Sequence, residues 1–171
     1  EIETDLRLVL EWLAPAAREV EWETLRARVE NRGARAHVIV RDGDGSEMGW
    51  REPQLELIVE QRVGGEWLVL PRARLGRCGN FAPDWHQDVT SLGPGESHRL
   101  VWHPSLSGYT FEPQGEYRAR LIYRYSGGRN QRRPLISLVS SLVGHALPPA
   151  IAEVPSFELT SEPVAVLAPE P

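Results

Sequence analysis

Three observations predict an all-β fold, an antiparallel β-sandwich of about seven to eight short strands with their apolar faces packed together. Apolar residues recur at every second position in several short runs. Gly, Pro and Asn clusters punctuate those runs at turn-like intervals. Finally, Gly115-Glu116-Tyr117 leads into the alternating run Arg118 to Tyr125, an entry that suits a tyrosine whose hydroxyl bonds back to the upstream turn where the chain rounds a corner. An up-and-down barrel shares the local pattern, and the Gly115-x-Tyr117 entry favours the sandwich.

Leu6, Leu8, Leu10 and Trp12 alternate with Arg7 and Glu11, so Leu6 to Trp12 reads as a half-buried strand that Pro15 stops. Leu25, Ala27 and Val29 keep the same period. Asn31-Arg32-Gly33 then supplies turn chemistry before Ala36, Val38 and Val40, which predicts a hairpin. A strand starts near Gln54 with Leu55, Leu57 and Val59, and Val63-Gly64-Gly65-Glu66 places two glycines where a two-residue turn needs positive φ, with Trp67 to Leu70 returning. From Arg72 to Gly95 the period is lost, which reads as a long loop of the kind that often carries function. Leu92-Gly93-Pro94-Gly95-Glu96 is a turn ahead of a strand from His98 to Trp102, and the Tyr117 strand follows. Leu135, Leu138, Val139, Leu142, Val143 and Leu147 fit spacings of three and four, predicting a short helical insertion near 135–147. Phe157, Leu159, Val164 and Val166 make a last strand across 156–167.

The 171 residues suit a single domain spanning 1–171, with an insertion at 126–156 and a Pro-rich exit at 168–171. Apolar content of 41% and charged content of 25% are those of a globular protein. No apolar run approaches the ~20 residues that span a bilayer as a helix. One cysteine, Cys78, rules out an internal disulfide and leaves the redox compartment open. All 19 basic residues are arginine, which reads as codon bias in a GC-rich bacterial genome. A net charge of −5 argues against nucleic acid as a partner. The chain opens at Glu1 rather than Met, which leaves room for a removed leader or anchor. The compartment is left open, with the periplasm or cell surface slightly favoured over the cytoplasm.

Pro113-Gln114-Gly115-Glu116-Tyr117-Arg118-Ala119 resembles the Asp-x-Gly-x-Tyr-x-Cys corner of immunoglobulin domains, with Ala119 standing where that pattern has cysteine. The resemblance implies an immunoglobulin-like sandwich of the cysteine-free, fibronectin-like kind. Leu92 to Glu96 followed by Gln114 to Tyr117 also resembles the bacterial intracellular proteinase inhibitors, which are small β-sandwiches. The likeness covers about 92–125, and it implies inhibition only by analogy.

Several clusters carry possible chemistry. Asp42, Asp44 and Ser46 stand two apart as in a calcium loop, but Glu47 and Pro53 occupy the positions of its required glycine and bidentate glutamate, so a surface turn is the better reading. Cys78, Asp84, His86 and Asp88 lie close in sequence without the spacing of a zinc or copper site, and Cys78 reads as a packed, inert thiol. His98 and His103 fall on opposite strand faces, while His37 and His145 are isolated. Arg118, Arg120 and Arg124 share one face of the Tyr117 strand, and Arg129, Arg132 and Arg133 follow, which together make a candidate surface for an acidic protein or anionic glycan. The alternative is a solvated face neutralised by the acidic N-terminal segment, where Glu1 to Glu23 include seven acids. Trp50 and Trp85 sit in expected loops and are candidates for stacking on a sugar.

No serine elbow, phosphate-cradling glycine loop, metal triad or catalytic carboxylate pair is present in the sequence, so no enzyme activity and no cofactor are expected. The expectation is a non-catalytic module that recognises or scaffolds another protein. Proteinase inhibition and carbohydrate binding are the alternatives.

Overall fold

The computed structural model describes residues 5–14, 23–42, 54–73, 89–101, 104–125 and 153–167. These residues are all-β with almost no helix. Ten strands run in order: β1 (Leu6–Trp12), β2 (Leu25–Asn31), β3 (His37–Val40), β4 (Leu55–Val63), β5 (Glu66–Val69), β6 (Val89–Leu92), β7 (Ser97–Arg99), β8 (Tyr117–Tyr125), β9 (Phe157–Thr160) and β10 (Val164–Val166). Every pairing among them is antiparallel. One sheet has the order β1-β2-β7, a second has β10-β8-β4-β5 with β9 also on β8, and β3 pairs with β6 as a ribbon.

The alternation in sequence becomes alternation in burial. Tyr117, Ala119, Leu121, Tyr123 and Tyr125 of β8 all turn inward, as do Leu25, Ala27 and Val29 of β2. Side chains from all three sheets meet in one apolar cluster, with β1 lying against β8, β9 and β10. Each large side chain so buried contributes about 1.5–3 kcal/mol relative to exposure. Tyr123 also ties the layers by a polar contact, its hydroxyl donating to the Val40 carbonyl of β3 while its ring meets Phe157 edge-on at 5.0 Å.

The corner predicted at Tyr117 forms. Glu112 to Gly115 make a turn with Pro113 at its second position, Gln114 at φ 65° and the Gly115 N–H donating to the Glu112 carbonyl at 3.3 Å, the pattern of a type II turn. The Tyr117 hydroxyl folds back over it, donating to the Glu112 carbonyl at 3.0 Å and accepting the Glu112 N–H at 2.7 Å. Gly115 leaves the space: a Cβ there would lie 2.4 Å from that hydroxyl.

Three sequence expectations are corrected. The turn after β2 does not close a hairpin, because β2 pairs with β1 and β7 whereas β3 pairs with β6. A two-residue hairpin needs positive φ, and Gly33 is not among the positive-φ residues. Instead Asn31, buried, donates from Nδ2 to the carbonyls of Arg35 (2.7 Å) and Leu92 (2.9 Å) and accepts the Gly33 N–H at 2.9 Å, steering the chain into another sheet. Secondly, the stretch 72–95 is not wholly a loop, since Val89 to Leu92 form β6. Thirdly, the strand number is ten among the described residues rather than seven to eight, partly because the segment 156–167 is broken in two. Ser161, Glu162 and Pro163 oppose only Leu121 and Arg120, which is a β-bulge. Ser161 maintains the ladder across it, its N–H donating to the Leu121 carbonyl and its Oγ accepting the Leu121 N–H, both at 2.9 Å. The Gly64-Gly65 hairpin forms as expected, with φ of 60° and 93°. The helix expected at 135–147 and the Pro-rich exit lie outside the described residues.

Tyr117→Phe is expected to lower unfolding stability by roughly 1–3 kcal/mol in urea titrations, because it leaves the Glu112 N–H without its acceptor. Gly115→Ala should cost a similar amount, about 1–3 kcal/mol, by overpacking against the ring. Gln114→Gly should be close to neutral, since relief of about 1–2 kcal/mol of left-handed strain offsets the added freedom of the unfolded chain.

Candidate functional site

On the outward face of the β10-β8-β4-β5 sheet, the even-numbered residues of β8 meet their cross-strand partners on β4. Glu60 faces Arg118, Ile58 faces Arg120 and Glu56 faces Ile122. Opposite charges across a ladder attract, and the strand spacing lets long side chains reach. Arg118 Nε donates to Glu60 Oε2 at 2.7 Å, and its guanidinium lies 4.4 Å from the centre of the Trp67 ring. This stacking of a planar cation on an aromatic face leaves Glu60, only 6% exposed, buried with its charge satisfied. Arg120 lies within 4.0 Å of the same carboxylate. Arg124 bonds Glu56 at 2.7 Å and approaches Glu158 at 3.4 Å.

The three arginines of β8 therefore do share a face, as expected. Among the described residues they are neutralised by Glu56, Glu60 and Glu158 of the same sheet. The described N-terminal acids are engaged elsewhere: Asp5 lies 3.0 Å from His37 Nε2, Glu11 pairs with Arg28, and Glu23, fully buried, binds Arg99 at 2.7 Å and Arg26 at 3.1 Å, while Glu1, Glu3, Glu19 and Glu21 lie outside the described residues. The arrangement holds strands in register and presents no excess of positive charge. Arg129, Arg132 and Arg133 lie outside the described residues.

Asp42 is fully buried and accepts the Val101 N–H at 3.0 Å, so at least one of its oxygens is committed to the backbone. Asp44 and Ser46 lie outside the described residues, as do Trp50, Trp85, Cys78, Asp84, His86, Asp88, His103 and His145. Among the described residues no group of three or more His, Cys, Asp or Glu is placed to hold a metal ion.

A feature that the sequence reading passed over is the free edge of β5. Residues Val63 and Glu66 flank the two-glycine turn, Arg62 donates its N–H to Glu116 on the far side of β4, and Leu70 donates to Val59. That phase points the backbone N–H and C=O groups of Leu68 towards β4 and those of Trp67 and Val69 away from the sheet. Leu68 is 50% and Val69 61% exposed. Within Glu66–Val69 no lysine, proline or bulge blunts this edge, although Pro71 closes it two residues on, and among the described residues nothing pairs with it. The opposite edge of the sheet is guarded by the bulge, Pro163 and the exposed Glu158 and Glu162, while β1 carries Arg7 and Glu11 outward and β7 is three residues long. The signal in sequence was the hairpin at Gly64-Gly65 followed by an aperiodic stretch, and among the described residues the returning strand has one neighbour.

Glu60→Ala is expected to destabilise by roughly 1.5–3 kcal/mol, because it strands Arg118 on a half-buried face, whereas Glu56→Ala on the exposed pair should cost under about 1 kcal/mol. Chemical denaturation of both variants makes the comparison. On the β1-β2-β7 sheet, Arg32 chiefly and then Arg28 hold the Glu30 carboxyl below its ordinary 4.5. A carboxyl depressed by folding adds stability above its unfolded pKa, and this is lost as pH falls through the folded value. Arg32→Ala should therefore flatten the loss of stability between about pH 5 and pH 2, with an effect below about 1 kcal/mol on so exposed a pair. Comparison of the chain with protein-family models, with curated proteins and with solved structures finds no match.

Proposed function

We propose that this chain is a non-catalytic, immunoglobulin-like β-sandwich module that recognises another protein, and that the recognising element is the open edge of β5. The sandwich reading is supported by the Tyr117 corner and by the core that the β1-β2-β7 and β10-β8-β4-β5 sheets share. The binding reading is carried by one observation: among the described residues the backbone of Trp67 and Val69 is unpaired, beside exposed Leu68 and Val69, while the other side of the same sheet is guarded. Free N–H and C=O groups on such an edge take an added strand, with the main chain supplying affinity and the alternating side chains supplying specificity. An acidic protein or anionic glycan on the arginine face would have to displace Glu56, Glu60 and Glu158 from their guanidinium partners, so the edge is the stronger candidate. Proteinase inhibition and sugar binding have no described residue that favours them.

Selection of random peptides displayed on phage against the intact protein is expected to enrich extended sequences with alternating apolar positions. Their binding should be lost in Val69→Pro, which removes an outward N–H that no described residue accepts, and kept in Arg120→Ala. Failure to enrich such peptides, or binders indifferent to Val69→Pro, would overturn the reading.

A further inference from the structure

The phase of β5 makes its edge self-complementary, and we infer that a second copy of this chain docks there, β5 against β5, to form a two-fold dimer. The inference rests on the reading of the edge as a strand acceptor and names its occupant. Two antiparallel copies related by a two-fold axis through Leu68 place Trp67 opposite Val69 of the other copy and Leu68 opposite its own equivalent. Trp67 and Val69 are the residues whose backbone groups point outward. Each Trp67–Val69 pair therefore becomes a hydrogen-bonded pair that exchanges both N–H···O=C bonds, and symmetry supplies the second.

Side chains agree with that register. Trp67 and Val69 lie on the outward face with Arg118, so the aromatic ring of one copy meets the 61% exposed Val69 of the other. On the opposite face the two Leu68 side chains meet across the axis, covering the residue that is half exposed in the single chain. Glu66 of one copy stands diagonally from Arg72 of the other, within reach of long side chains. Glu66 has no ion-pair partner among the described residues, and Arg72 uses Nε and Nη2 on the carbonyls of Ser107 and Ser105, which leaves Nη1 to meet the carboxylate. The charge match occurs twice by symmetry. A short edge of this kind makes a small interface, so the dimer is expected to be weak and concentration-dependent.

Two measurements test it. Sedimentation velocity of the full chain from about 5 to about 500 µM should show a monomer–dimer equilibrium that Val69→Pro abolishes, and that weakens in high salt through the Glu66–Arg72 contacts. In a Cys78→Ser background, Leu68→Cys should form a disulfide-linked dimer under mild oxidation, because facing residues of a non-hydrogen-bonded pair lie about 4.5 Å apart at Cα, inside the disulfide range. Val69→Cys should cross-link on the order of tenfold more slowly, its equivalents being roughly 8–9 Å apart, beyond the limit of about 7 Å. A monomer at every concentration with no Leu68→Cys cross-link overturns the inference, as does equal cross-linking at both positions. If the chain stays monomeric yet captures peptides in a Val69→Pro-sensitive way, self-pairing fails and the edge reading stands. If it does neither, both fall.

Discussion

β8 is the strand on which the rest of the described structure depends, and the bond that fixes its phase is the one between the Tyr117 hydroxyl and the Glu112 backbone. β8 is flanked by β4 on one side and by β9 and β10 on the other, and its inward residues form the middle of the core. A strand held on both flanks cannot slip by one residue without turning Ala119, Leu121 and Tyr123 to solvent and the arginines to the interior. The corner pins the first of those residues to a turn of its own chain, and Tyr123 pins the far end to β3. Register, core composition and the charge ladder outside are thus consequences of a single phase.

The charged face follows from that phase, without an anionic partner being needed to explain it. Arginines on even positions of β8 meet glutamates on even positions of β4 because the pairing aligns them, and Trp67 from β5 covers the innermost pair. Truncating either member of such a half-buried pair leaves the other poorly solvated, whereas the exposed pairs at the margin are screened by water. Polarity on this sheet therefore serves the alignment of its strands. The apolar edge beside it has the opposite character.

Much of the fold was legible because burial on one face writes a period of two into the sequence. β1, β2, β4 and β8 carry that period over seven or more residues, and each was located from it. The Gly64-Gly65 turn and the Tyr117 corner were legible for a different reason, since each demands a specific residue for steric cause. β6 escaped because four residues, two of them only partly buried, give too short a pattern. The partner of β3 escaped because Asn31 acts through its side chain on residues far along the chain, which no local pattern records. The neutralising partners of Arg118 and Arg124 were hidden for the same reason: Glu56 and Glu60 are more than fifty residues distant in sequence and adjacent only across the ladder. The open edge of β5 was implicit in the hairpin, but openness is a property of neighbours, and neighbours are not written locally.

The bulge between β9 and β10 has its own consequence for how this chain tolerates change. Before it, odd-numbered side chains, Phe157 and Leu159, enter the core; after it, an even-numbered one, Val166, does. Ser161 to Pro163 thus act as a parity switch, converting one reading frame of in-and-out into the other. Gain of one residue within those three would leave every downstream residue chemically unchanged yet present Ala165 where Val166 packs, and loss of one would present Leu167 there, so length, more than identity, is the guarded quantity in this segment.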